Sequence, residues 1–284
     1  MKTATITEHE MDQVGRANAS GRTAVVFVHG LWLLPNSWDR WREFFEETGF
    51  ATLAPGWPDD PATVAEANAH PEAFAHQKLR QVADHFEEIL GQLDRRPVVV
   101  GHSFGGLVAQ MLAGRGRASV SVAIDPAPFR GVLALPISAL RASAPVLGHP
   151  ANLGRAVPLT YAQFRYSFAN AVSEEEARAL YDTFAVPAPG AALIEAATAN
   201  LNPWSDAKVD TKNPGRGPLL ILSGEKDHTV PWAIANASFR RQRRNPGVTE
   251  IVEVPRRGHA LTIDSGWREV AERVLSFVQR FVQP

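Results

Sequence analysis

One serine, one histidine and two aspartates in this sequence stand where they could act together on a carbonyl group. Ser103 lies in Gly101-His102-Ser103-Phe104-Gly105-Gly106, directly after the β-branched run Pro97 to Val100 and before Leu107, Val108, Met111 and Leu112 at helical spacing. A hydroxyl on such a tight strand-to-helix turn projects clear of the sheet, and glycines two residues to either side leave room for the chain to double back. Serine is a weak nucleophile until a base takes its proton, and the base works best when a third group fixes its ring. Two later strand ends offer these partners. Asp227, in Ser223-Gly224-Glu225-Lys226-Asp227-His228, follows Pro218 to Leu222, and His259, in Arg257-Gly258-His259-Ala260, follows Thr249 to Val254. Asp125 also ends a strand, Val120 to Ile124, and is the alternative acid. Of the other histidines near these positions, His228 directly follows the favoured acid and should point away, His102 should pack sideways, and His29 should brace its own loop.

The elements that must position these residues alternate. Six short strands, Thr23 to Val28, Ala51 to Leu53, Pro97 to Val100, Val120 to Ile124, Pro218 to Leu222 and Thr249 to Val254, are separated by helical patterns. That alternation predicts an α/β fold, with a mostly parallel sheet flanked by helices on both faces. The spacing predicts a helix capped by Asn36 or Ser37 and carrying Trp38, Trp41, Phe44 and Phe45. A second should follow Pro71 and carry Phe74 through Leu93, and a third should run from Trp267 to Val282. From about Ala127 to Asn213 no convincing strand is found, and so long a structureless loop would be improbable. The organisation expected is a core domain of residues 1–126 plus 214–284 and an inserted helical cap over 127–213.

With these motifs in place, the sequence resembles enzymes of the α/β-hydrolase fold, particularly small bacterial esterases and the related cofactor-free haloperoxidase or perhydrolase group. The likeness runs from Thr23 to the end. Gly101 to Gly106 matches the nucleophile elbow, Gly224 to Asp227 the Gly-x-x-Asp turn, Gly258-His259 the histidine loop and His29-Gly30 the oxyanion loop. The resemblance implies a Ser103, His259, Asp227 triad and an oxyanion hole made by the backbone N–H groups of Phe104 and Leu31, with Trp32 as the fallback. Trp32 and Leu33 on the oxyanion loop, and Phe129, Phe168 and Trp204 in the insertion, are the candidates for an apolar substrate pocket. The chain departs from related branches: it has neither His-Gly-Gly-Gly nor His-Gly-Trp-Pro, a serine rather than an aspartate stands at the elbow, and no lysine flanks His259.

Composition narrows the function classes. Lys plus Arg total 29 against 30 for Asp plus Glu, so no net field would gather nucleic acid or a membrane, and neither is expected as a partner. There is no cysteine, which excludes thiolate catalysis and Cys-based zinc or iron–sulfur sites. The remaining histidines lack metal-ligand spacing, so no metal is expected, and nothing suggests a cofactor. Met1 to Gln13 shows no signal-peptide pattern, and a cytoplasmic location is the default. The activity expected is hydrolysis of a carboxylic ester of a small apolar substrate through an acyl-enzyme on Ser103. Perhydrolysis, halide oxidation or lactone opening by the same triad, and a ligand-binding relative with vestigial catalysis, are the alternatives. The oligomeric state is left open.

Overall fold

Every residue of the first strand, Ala24–Val28, is buried, with Val25 and Phe27 facing one hydrophobic layer and Val26 and Val28 the other. Such a strand needs cover on both faces, and the computed structural model, which describes residues 5–284, supplies it. In chain order the strands are β1 (Ala24–Val28), β2 (Ala51–Leu53), β3 (Val98–His102), β4 (Val120–Ile124), β5 (Ala156–Val157), β6 (Ala188–Pro189), β7 (Leu219–Gly224) and β8 (Thr249–Val254). Six of them form one parallel sheet in the order β2-β1-β3-β4-β7-β8. The order reverses between β1 and β3, and a crevice at such a switch point, beyond the carboxyl ends of the strands, is where open α/β sheets bind ligands.

The helices are α1 (Glu8–Ser20), α2 (Asp39–Glu47), α3 (Val64–Ala69), α4 (Leu79–Gly91), α5 (Phe104–Gly114), α6 (Ile137–Leu147), α7 (Tyr161–Ser167), α8 (Glu174–Phe184), α9 (Gly190–Ala197), α10 (Trp232–Gln242) and α11 (Trp267–Gln279). One face of the sheet packs against α1, α4 and α5, the other against α2 and α11. α5 is buried all round, as a helix at the centre of a molecule must be.

Local expectations need three corrections. Residues 35–38 form a 3₁₀ turn in which the Ser37 hydroxyl donates to the Leu34 carbonyl at 2.7 Å, so neither Asn36 nor Ser37 caps α2. The pattern after Pro71 divides into a short 3₁₀ turn, Pro71–Phe74, and α4, which starts only at Leu79. Between β4 and β7 lie α6 to α9, together with the small antiparallel pair β5–β6, where no strand is expected from the sequence.

The layer of α2 and α11 also fixes the loop that carries His259. The Trp41 indole N–H donates to the Thr262 carbonyl at 2.9 Å, and the ring, fully buried, packs on Trp38, Phe45 and Trp267. In the same loop Asp264 accepts from the Gly266 N–H at 2.9 Å and faces the Arg257 guanidinium at 3.3 Å. Burial pushes the Asp264 carboxyl up to about 6, outweighing the opposite pull of Arg257.

Trp41→Ala should cost about 3–5 kcal/mol of stability, read as a lower denaturant midpoint, because a large buried side chain leaves a cavity and an orphaned carbonyl. Asp264 gives a pH signature. Between the ordinary carboxyl range near pH 4 and its own value near 6, the folded protein keeps a proton that the unfolded chain has shed, so stability falls as pH rises through that window. Asp264→Asn removes that slope, and its stability relative to the parent should rise by about 2 kcal/mol between pH 4 and 6.5. Parallel midpoints for the two proteins across those pH values would contradict the assignment.

Candidate functional site

β3 runs into α5 through a single residue, Ser103, whose φ of 57° and ψ of −119° lie where residues with a Cβ are strained. The turn is possible because of what is missing around it. A Cβ on Gly101 would collide with the Gly105 carbonyl, and one on Gly105 would collide with the Val28 carbonyl of β1. The turn is pinned further by Ser103 N–H donating to the Ile124 carbonyl and by Ala127 N–H donating to the Ser103 carbonyl, at 2.9 and 3.0 Å. Trp32, at φ 64°, and Asp125, at φ 42°, share the positive-φ backbone and stand beyond the ends of β1 and β4, so strain gathers at one edge of the sheet.

The structure brings Ser103, His259 and Asp227 together. His259 Nε2 lies 2.9 Å from Ser103 Oγ, and His259 Nδ1 lies 2.6 Å from Asp227 Oδ2. A carboxylate only accepts, so Nδ1–H donates to Asp227 and the Nε2 lone pair is left to accept from the serine hydroxyl. Asp227 Oδ1 accepts from the N–H groups of Thr229 and Val230 at 2.6 and 2.9 Å, which locks the carboxylate plane. The three side chains are buried, with Phe168 set edge-on to the His259 ring at 4.8 Å between centroids. This chain of hydrogen bonds can carry a proton from a hydroxyl to an imidazole and hold the resulting imidazolium against a carboxylate.

Asp125 is present but set back. Its Oδ2 is 3.9 Å from His259 Nδ1, while Oδ1 accepts from the Gly224 N–H at 2.7 Å. Burial and the neighbouring Asp227 charge push its carboxyl well above the usual range. His102 donates through Nε2 to the His259 carbonyl at 2.9 Å, and burial, with His259 beside it, drives its imidazole well below the ordinary histidine value. His102, Asp125 and His259 offer ligand atoms within 4.8 Å of one another, a spacing a metal ion would accept, yet both ring nitrogens of His259 already face Asp227 and Ser103.

Leu31 is buried on the loop after β1, and Gly30 beside it approaches so closely that a Cβ there would lie 2.7 Å from the Ser103 Cβ. Phe104 opens α5. Among the described residues, neither the Leu31 nor the Phe104 N–H donates to a protein acceptor. The loop is braced as a unit. His29 Nδ1 donates to the Gly30 carbonyl, its Nε2 faces Asp60 at 2.9 Å, and its ring stacks on Trp57. The role of Asp60 has no signal in the sequence, because it acts 31 residues away from His29.

A narrow cavity opens on Ser103. Its walls are Trp32 and Phe104, the α6 residues Ala139, Leu140, Ser143 and Leu147, Leu193 and Ala196 of α9, and Val230 and Ile234. Of the aromatic and leucine candidates, Trp32 lines it and Phe168 touches His259. Leu33 and Phe129 are instead buried in the core, and Trp204 is 85 % exposed on a different surface, where it lines a polar groove with Arg80 and Asp206. These three expectations are corrected for one reason. Bulky side chains fill space, whereas a pocket remains where alanine, serine and leucine leave it. The missed residues carried only the apolar pattern of α6 and α9 as a signal.

Comparison with known proteins bears on the fold and the family. Among solved structures, the chain is similar to a monoacylglycerol lipase of Paleococcus ferrophilus, at 20 % identity over 91 % of this chain and 95 % of that one, with a TM-score of 0.65. It is similar to an extracellular alpha/beta-hydrolase from a Paenibacillus species, at 20 % identity over 89 % and 98 %, with a TM-score of 0.64. A pyrethroid hydrolase from Sphingobium faniae follows at 16 % identity over 90 % and 97 %, with a TM-score of 0.62. At such identities the likeness is one of fold. No curated protein sequence matches the chain. The model of the alpha/beta hydrolase family matches residues 25–273, which span the six-stranded sheet from Val25 onward and the helices from α2 to the first half of α11, and the chain therefore belongs to the alpha/beta hydrolase family.

Proposed function

We propose that the protein is a serine hydrolase that cleaves a carboxylic ester of a small apolar substrate. The observation that carries the reading is the continuous hydrogen-bonded line from Ser103 Oγ through His259 to Asp227, at the floor of an apolar cavity. The structural neighbours named as a lipase and a pyrethroid hydrolase add weight to an ester as the substrate.

In this mechanism His259 Nε2 takes the Ser103 proton as Oγ bonds to the ester carbon, and the carbonyl π pair moves onto oxygen. The N–H groups of Leu31 and Phe104 receive that oxyanion, with the N-terminus of α5 adding its partial positive charge. Collapse breaks the carbon–oxygen bond to the leaving alcohol, which departs with the proton held on His259. Water then adds to the acyl-enzyme with His259 as base and releases the acid. Asp227 keeps Nδ1 protonated and steadies the imidazolium throughout. Residues 127–213 act as the cap, supplying the α6 and α9 walls against which the acyl or alcohol group packs.

Ser103→Ala should remain folded and lose turnover of short aryl esters by several orders of magnitude, and it should not label with a fluorophosphonate. Unchanged turnover in that variant would end the proposal. The two aspartates should separate: Asp227→Asn should lower kcat about 10³–10⁴-fold, whereas Asp125→Asn should stay within about tenfold of the parent. The reverse ranking in steady-state kinetics would hand the acid role to Asp125.

A further inference from the structure

The part of the chain above Ser103 turns an apolar face to solvent. α6 presents Ile137, Leu140, Ala144 and Leu147 at intervals of three and four, all exposed, while Ala142 and Val146 on its other side are buried. In the segment leading into the helix, Leu133 and Leu135 are each 72 % exposed, and Ile137 reaches 85 %. Leu135, Leu140 and Leu147 also belong to the wall of the Ser103 cavity, so this face is the outer rim of the cavity and continuous with its interior. Single exposed leucines are ordinary on a protein surface, but a contiguous apolar rim around the mouth of a site marks an interaction surface.

Its charge is one-sided. From Pro126 to Ser173 there is no Asp or Glu, against Arg130, Arg141, Arg155 and Arg165, in a chain whose total net charge is −1. Arg165 pairs with Glu174 at 3.2 Å, but among the described residues no carboxylate pairs with Arg130, Arg141 or Arg155. Arg141 lies over the Tyr166 ring at 4.1 Å, which orients the guanidinium without neutralising it. A neutral total thus conceals a basic segment that carries the apolar face.

An apolar helix face that carries Arg141, in a segment that has further unpaired arginines and no carboxylate of its own, suits the boundary between acyl chains and anionic headgroups, where leucines enter the chains and guanidinium groups meet phosphates. A second copy of this chain, docked symmetrically on the same face, would set arginine against arginine. We propose that the α6 face seats the protein on an anionic lipid bilayer, so that the apolar chain of an ester passes from the bilayer into the cavity without crossing water. The substrate class in this proposal rests on the ester-hydrolase reading; the docking does not.

Vesicle co-sedimentation with Ser103→Ala protein tests the docking apart from turnover. Binding to phosphatidylglycerol–phosphatidylcholine vesicles should exceed binding to pure phosphatidylcholine about tenfold and weaken as salt rises. Combining Leu133→Ser with Ile137→Ser, neither of which lines the cavity, should lower the partition about tenfold or more. Arg141→Glu with Arg155→Glu should lower it on the anionic vesicles alone. In the Ser103 background, all four substitutions should leave hydrolysis of a water-soluble short ester unchanged; loss of that hydrolysis in the parent would count against the ester reading and leave the docking standing. No sedimentation with either vesicle, equal partition of parent and variants, or a concentration-dependent dimer abolished by the Leu133 and Ile137 substitutions would overturn the proposal.

Discussion

The backbone of Ser103 turns in a space with no room for a Cβ on the glycines around it, and the site is arranged about that constraint. The close approach of Gly105 to the Val28 carbonyl sets how near the start of α5 comes to β1, and hence how near Phe104 stands to Leu31. The strain at Ser103 is held in place by the bond its N–H donates to β4 and the one its carbonyl accepts from Ala127, so the hydroxyl points where the sheet puts it. His259 and Asp227 come to it from the ends of two other strands. Because the strands are parallel, all of these ends lie on the same edge.

Much of this was legible in the sequence because it depends on local rules. Six β-branched runs gave the strands, and Gly101, Ser103 and Gly105 gave the turn, since only glycine meets its steric demand. The sequence favours Asp227 over Asp125 without separating them by any local rule. Both end strands, and the difference between 2.6 and 3.9 Å from His259 belongs to the three-dimensional packing of the strand ends, which no spacing rule fixes. α1 was missed although Thr7 and Glu10 form a capping box and Gly21 closes the helix in a left-handed conformation; its short apolar pattern hid those signals.

The pocket was the least legible part. Sequence reading favours aromatic residues as walls, yet Phe129 joined the core and Trp204 turned to solvent. Cavity shape depends on where side chains are small, and alanines in α6 and α9 carry no periodic mark that separates a wall from a helix contact. The same limit applies to charge: a total near zero says little about how the charges are shared among the elements.

The segment around α7 is tied to the site at several points. The Phe168 carbonyl accepts from the Ala260 N–H, the Thr229 hydroxyl donates to Ser167, and Asn170 donates to Lys226. Each bond joins the insertion to the loop of Asp227 or of His259. α6 and α9 make no such ties to those loops among the described residues. A change of specificity therefore has a permitted route and a forbidden one. Drift can remodel α6 and α9 and admit new acyl or alcohol groups while the proton path stays aligned. Drift at 166–170 would move the acid and the base together, so that stretch should be the slowest part of the insertion to diverge.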